Sequence, residues 1–226
     1  TDSYYTKKAD IVDLPFRILI VGKSFLSGKS TVILNLLLRD KFYKNDFKGE
    51  NIFIVSNNAM DNKMKILKEE KDVDAHNFME FSESNLEAIY EEVEARAVDA
   101  MNEGKRPANS LIVIDDVAFS GGLKEKNNGT LSRIFCNGRH INLSVIVTAQ
   151  KYSQISTTMR ANCSGAILFN NSMHEVDAMS NDLNYLESKK DFVKLFRKTT
   201  KGKNNFMVVN FTEDGIYQDS KFQPVE

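Results

Sequence analysis

The chain has 226 residues, 42% of them hydrophobic, and a formal net charge of −1 at pH 7. A chain of this size can bury one sizeable core, so we expect a single domain over residues 1–226. It has no apolar run near the roughly 18 residues of a membrane-spanning helix, and its polar start lacks the apolar stretch of a signal peptide, so we expect a soluble intracellular protein with no membrane partner.

The two cysteines, Cys136 and Cys163, show neither a metal-ligand spacing nor a disulfide-rich pattern, and we expect reduced thiols. The near-zero net charge gives the whole molecule no electrostatic attraction to nucleic acid. Any binding to nucleic acid therefore requires a local basic patch.

Five apolar segments rich in β-branched residues predict strands at 16–22, 51–57, 111–117, 144–150 and 165–170. Their nearly continuous hydrophobicity is typical of strands that are covered by helices on both faces. Helical patterns lie between them at 29–39 and at about 61–70, 84–103 and 129–139. This alternation predicts a three-layer α/β fold with a mostly parallel central sheet, and ligands bind such sheets beyond the carboxyl ends of the strands.

The segment after about residue 170 is an extension of this core. It is expected to add one or two helices and a hairpin formed by 206–212 and 216–218. The Asp-Gly pair within Glu213-Asp214-Gly215 is a turn signal between the two extended runs.

The first motif with chemistry follows the first predicted strand. It reads KSFLSGKST over 23–31 and ends in Gly28, Lys29, Ser30 and Thr31, directly before an apolar helix. A loop in this position is typical of a P-loop, in which backbone N–H groups surround a phosphate, Lys29 reaches the β and γ oxygens, and Ser30 places its hydroxyl on Mg²⁺. The motif therefore predicts a nucleotide site.

The entrance of this loop departs from the usual spacing. The first glycine of the pattern is expected five positions before Gly28, where this chain has Lys23, and Gly22 lies one residue further back. A lysine-capped loop without a ligand is the alternative interpretation.

A second motif is the run LIVI followed by Asp115 and Asp116. Adjacent carboxylates at the end of a buried strand are costly unless a cation or a reaction uses them. We expect Asp115 to hold Mg²⁺ and Asp116 to orient and deprotonate the water that attacks the γ-phosphate. In the structural alternative, both residues cap the next loop.

Two weaker signals follow. Gln150 ends the predicted strand 144–150, where its amide can bond the γ-phosphate and the attacking water. Arg139, within NGRH, ends the preceding helix and can project into the site of a neighbouring subunit. Alternatively, Gly138 caps the helix and Arg139 complements the helix dipole.

Taken together, GKST after a strand, LIVIDD, NGRHINLSVIVTAQ and MRANCSGAILF resemble the genome-packaging ATPases of large DNA viruses, virophages and related self-synthesising transposons. These proteins belong to the FtsK/HerA superfamily, and the resemblance covers about 16–170. It implies a RecA-like ASCE P-loop fold and a homo-oligomeric ring, pentameric or hexameric, that uses ATP and Mg²⁺ to pump double-stranded DNA into a preformed capsid.

The resemblance also assigns residues. Gly28 to Thr31 match the Walker A motif, Asp115 and Asp116 the Walker B motif, and Gln150 the polar sensor. Arg139 matches the trans-acting arginine, with Arg160 as the alternative. Many members have glutamate at the position of Asp116. The difference bears on whether Asp116 is the base that deprotonates the attacking water, and it does not bear on nucleotide binding. Capsid vertex proteins are the further implied partners, and the implied location is the host cytoplasm at the virus assembly site, or the virion.

Contacts with DNA have two candidate positions. Residues 189–203 hold seven lysines or arginines and one acid, and the loop after the acidic pair holds Lys124 and Lys126. Such charges suit sequence-independent contacts with phosphate, although a solvated helix face is the common explanation of a basic run.

Two other functions fit parts of the sequence. A small-molecule nucleotide kinase shares the P-loop and the length, but it does not explain the acidic pair or the GRH and TAQ sequences. A nucleotide-binding regulatory subunit with little hydrolysis is supported only by the altered loop entrance.

Overall fold

A computed structural model describes residues 4–23, 28–58, 61–115, 129–213 and 216–225. The strands are β1 (Arg17–Val21), β2 (Ile52–Ser56), β3 (Phe78–Met79), β4 (Ser110–Asp115), β5 (Leu143–Ala149), β6 (Gly165–Phe169), β7 (Phe206–Asn210) and β8 (Tyr217–Gln218). The α-helices are α1 (Lys29–Leu38), α2 (Asn62–Glu70), α3 (Glu83–Asn102), α4 (Thr130–Asn137), α5 (Thr157–Asn162), α6 (Met173–Leu183) and α7 (Lys189–Thr199).

All of these strands join one sheet in the order β3-β2-β4-β5-β1-β6-β7-β8. The pairs from β3 to β6 are parallel, whereas β6–β7 and β7–β8 are antiparallel. The predicted mostly parallel sheet and the C-terminal hairpin are thus confirmed. Two residues of the predicted hairpin turn, 214–215, lie outside the described residues.

The sheet separates two hydrophobic layers. Side chains of β1 alternate between them, so that Leu19 and Val21 pack with α3 to α7 while Ile18 and Ile20 pack with α1 and α2. Both faces are therefore covered, which explains the continuous apolar strands and confirms the three-layer fold. None of the helices in the described part of the chain is long and apolar enough to span a membrane.

The structure differs from the sequence-based prediction around NGRH. The helix predicted over 129–139 ends at Asn137, and a 3-10 turn follows over Gly138–Ile141. Gly138 has a right-handed φ of −52°, and the residue that reverses the chain is Asn142, with a left-handed φ of 57°. Gly138 therefore ends the α-helix, but the chain continues as a 3-10 helix as far as Ile141.

Two short elements were not predicted. β3 has two residues and α5 has six, and such lengths are too short for a hydrophobic period to be recognised.

The turn before β2 generates a test of this fold. A Cβ atom on Gly49 would lie 2.1 Å from the carbonyl oxygen of Lys71 and 2.3 Å from that of Asp72. Gly49→Ala must displace backbone, and we expect it to lower the free energy of unfolding by about 2–4 kcal/mol in urea titrations. Gly104→Ala is the control, because Gly104 has a φ of 69° but, apart from its chain neighbours, no described residue has an atom within 4 Å of its Cβ position. Its backbone strain alone should cost about 1–2 kcal/mol, and an equal loss in both variants would contradict the steric argument.

Candidate functional site

The site begins where β1 meets α1. Gly28 precedes the helix with a φ of 82°, a left-handed conformation that favours glycine. No side chain caps the first turn of α1 among the described residues, and backbone N–H groups at such a helix N-terminus can bind an anion. The Lys29 ammonium donates to the carbonyl oxygens of Gly22 at 2.8 Å and Lys23 at 3.2 Å, which orients it along the same loop.

A buried carboxylate connects this helix with two strands. Asp115, at the carboxyl end of β4, is only 2% exposed. One carboxylate oxygen accepts from the Ser30 hydroxyl at 3.1 Å, and the other accepts from the Thr148 hydroxyl of β5 at 2.6 Å. Hydroxyl and carboxylate oxygens are ligands that Mg²⁺ prefers, so the Ser30 and Asp115 pair fits the predicted metal role.

Gln150 lies at the same edge of the sheet. The Gly22 N–H donates to the Ala149 carbonyl oxygen at 3.0 Å, which places the residue after β5 beside the entrance of the P-loop. The side-chain nitrogen of Gln150 is buried and has no hydrogen-bond partner among the described residues. A buried donor without a partner is costly, and it is satisfied once a ligand or water reaches it.

Glu175 fixes the segment that follows Gln150. This residue of α6 is 3% exposed and accepts from the N–H and the hydroxyl of Ser153, at 3.0 and 2.8 Å. Burial alone would raise its pKa, but the hydrogen bonds from Ser153 and His174 outweigh burial and lower the pKa below the ordinary carboxyl value. Glu175 is therefore ionised at neutral pH and anchors the loop next to the site.

A cavity of about 480 Å³ opens beside the loop. Its described lining includes Lys29, Lys63 and Lys203 and contains no carboxylate. Lys63, in the first turn of α2, donates to the hydroxyl of Thr31 at 2.7 Å. Three cations around one cavity suit a polyanion such as a triphosphate. The sequence did not assign Lys63, Lys203 or Thr148 to the nucleotide site, because each belongs to an element that only the fold brings to the P-loop. Lys203 was instead part of the basic run 189–203, a candidate for DNA contacts.

Arg139 precedes the first residue of β5, so it lies at the amino ends of the strands, opposite the P-loop. The seven residues of β5 span about 20 Å, so Arg139 lies far from the phosphate site of its own chain. Its side chain is exposed and donates to His140. Burial lowers the pKa of Arg17, the first residue of β1, and the positive charge of Arg139 contributes in the same direction.

Arg160, the alternative, is more constrained. Its guanidinium pairs with Asp182 and lies 5.1 Å from the ring centre of Tyr152, with its side chain 18% exposed. Asp116, Lys124 and Lys126 lie outside the described residues, so their roles stay predictions.

The fold and the site together define a P-loop NTPase. Residues 4–223 match the family described as Poxvirus A32 protein, and the chain belongs to that family. It is 24% identical to the DNA packaging protein OPG160 of Vaccinia virus (strain Copenhagen), over 96% of this chain and 76% of that protein. The protein of the same name from Monkeypox virus is also 24% identical, with 68% of its length covered. The resemblance to viral genome-packaging proteins is thus confirmed.

Solved structures agree on the fold. The genome packaging NTPase B204 from Sulfolobus turreted icosahedral virus 2, in complex with ATP-gammaS, has a TM-score of 0.62 at 15% identity, covering 93% of this chain and 99% of that one. The cytoplasmic domain of EssC has a TM-score of 0.54 at 16% identity, covering 82% of this chain and 39% of that one. At these identities the likeness concerns the fold alone.

The hydrogen bond from Thr148 to Asp115 is expected to stabilise the fold. Thr148→Val keeps the shape of the side chain but removes the hydroxyl from a buried carboxylate, and we expect a loss of about 1.5–3 kcal/mol in the free energy of unfolding. Thr148→Ser keeps the hydroxyl and loses one methyl group, which should cost about 1 kcal/mol. Chemical denaturation of the three proteins measures the difference. A valine variant as stable as the parent would show that the hydrogen bond contributes nothing.

Proposed function

We propose that this chain is the ATP-hydrolysing motor that moves double-stranded DNA into a viral capsid. The observation that carries the proposal is the contact of Asp115 with Ser30, next to Lys29 and to the N-terminus of α1, which no described side chain caps. Membership of the Poxvirus A32 protein family and the DNA packaging relatives support the biological role.

The residues divide the chemical work between them. Lys29 and the first-turn N–H groups of α1 bind the phosphates, and Lys63 adds a second cation on the side of Thr31. Ser30 and Asp115 would hold Mg²⁺, which when bound neutralises charge on the phosphate oxygens. Asp116 activates the attacking water. Gln150 supplies a donor that the described residues leave without a partner.

The proposed catalytic role of Arg139 needs a neighbouring subunit. Since this arginine and the P-loop lie at opposite edges of one sheet, Arg139 can reach a phosphate only across an interface with another copy. A homo-oligomeric ring of five or six subunits supplies such interfaces. The ion pair of Arg160 with Asp182 favours Arg139 for this role.

The DNA contacts follow from charge. Helix α7 buries Phe192 and Phe196 and exposes Lys190, Lys194 and Lys198 to solvent, so the basic run forms one face of an amphipathic helix. A basic face can bind phosphates without regard to sequence. Capsid vertex proteins are the further proposed partners, and the proposed location is the cytoplasmic assembly site or the virion.

The first test measures ATP turnover with and without double-stranded DNA. We expect Mg²⁺-dependent hydrolysis that DNA stimulates. In Lys29→Ala, ATP affinity should fall on the order of 100-fold, because the phosphates lose a charge-assisted contact. Lys65→Ala removes an exposed lysine of α2 and should leave turnover unchanged. ATP binding without turnover would instead indicate a regulatory subunit. If Lys29→Ala binds ATP as tightly as the parent chain does, the P-loop assignment is wrong.

The second test concerns the shared site. Arg139→Ala and Asp116→Asn should each lose most turnover in the assembled, DNA-bound state, the latter by orders of magnitude with Mg-ATP still bound. Mixed rings contain interfaces that pair an intact Asp116 with an intact Arg139, so mixing should restore part of the activity. Parental turnover in Arg139→Ala alone would refute the trans-acting role.

A further inference from the structure

The cavity beside the P-loop has a second wall, formed by the turn between α7 and β7. Within this turn Gly202 and Asn204 have left-handed φ angles of 105° and 64°. The Thr200 hydroxyl donates to the carbonyl oxygen of Phe196 at 2.7 Å, and the Asn205 amide donates to that of Lys201 at 2.6 Å. The turn is therefore held in one shape by its own hydrogen bonds.

The sheet brings this turn to the P-loop. β6 is the parallel neighbour of β1, and its last residue, Phe169, pairs with Phe206, the first residue of antiparallel β7. The residues just before Phe206 consequently lie at the same end of the sheet as the carboxyl ends of β6 and β1. A Cβ atom built on Gly28 would be 3.9 Å from the side-chain oxygen of Asn204.

The lining of the cavity combines two chemistries. Lys29, Ser30 and Lys63 form a cluster that suits phosphates. Phe169 and Phe206 also line the cavity, and their rings pack edge to face with centres 5.3 Å apart.

Two amide side chains also line the cavity. These are Asn35 of α1 and Asn204 of the turn. Within the described residues, neither side-chain amide makes a hydrogen bond to the protein. An amide offers both donors and an acceptor, the combination that sugar hydroxyls and base edges require.

We propose that Asn35 and Asn204 bind the nucleoside part of the nucleotide, so that the C-terminal extension completes the ATP site. The proposal rests on the proposed function, because it takes the phosphates to lie at Lys29. A cavity of about 480 Å³ is within the range of small-molecule sites. In this proposal the amides recognise the uncharged part of the ligand, and the lysines bind its phosphates.

Calorimetric titration with Mg-ATP and with Mg-tripolyphosphate tests this division. Asn35→Ala and Asn204→Gly should each weaken ATP binding about five- to tenfold and leave tripolyphosphate binding unchanged, since tripolyphosphate lacks the nucleoside. Asn204→Gly keeps the left-handed backbone, and Asn35→Ala raises helix propensity. The thermal midpoint of the alanine variant should therefore not fall, which separates a binding role from a structural one.

The controls keep the outcomes distinct. Asn102→Ala removes an exposed amide at the end of α3, outside the cavity, and should change neither affinity. Lys29→Ala should weaken both ligands. Parental ATP affinity in both asparagine variants, or equal losses for ATP and tripolyphosphate, would overturn the nucleoside assignment while the proposed function stands. If the parent chain binds neither ligand, the proposed function itself fails.

Discussion

The site depends on one buried carboxylate. A carboxyl group that is 2% exposed is stable only if hydrogen bonds replace the water it has lost, and Asp115 accepts such bonds from Ser30 and Thr148. These three residues come from α1, β4 and β5, so the carboxylate is satisfied only when the three elements are correctly assembled. The same arrangement leaves oxygen atoms together beside the P-loop lysine, which is the composition that a metal-bound phosphate requires.

The sheet order is what makes this assembly possible. β5 lies between β4 and β1, although β1 comes first in the chain. The five main strands could be predicted because each is a continuous apolar run, and their observed bounds lie within two residues of the predicted bounds in the described part of the chain. Their order could not be predicted, because residues such as Ile18 and Ile146 pair across more than a hundred positions and no local pattern records the partner.

The same distinction holds for the site. Lys29, Ser30 and Asp115 belong to motifs whose spacing indicates their chemistry, and the structure brings them together. Thr148 gave no signal, because threonine is an ordinary residue of a buried strand and only the register with β4 shows its hydroxyl beside a carboxylate. Asn204 gave none either, because the β6–β7 pairing, and not its neighbours in sequence, places it over Gly28.

The carboxyl ends and the amino ends of the strands have different proposed roles. This difference constrains how copies of the chain assemble. The proposed phosphate site lies at the carboxyl ends of the strands, whereas Arg139 lies at their amino ends with an exposed side chain. If the arginine of one copy completes the site of the next, the contacting surfaces are unlike, and the interface is heterologous. Repeating a heterologous interface closes a ring when the rotation allows it. Under the proposed trans-acting role of Arg139, each interface of such a ring would contain one complete site.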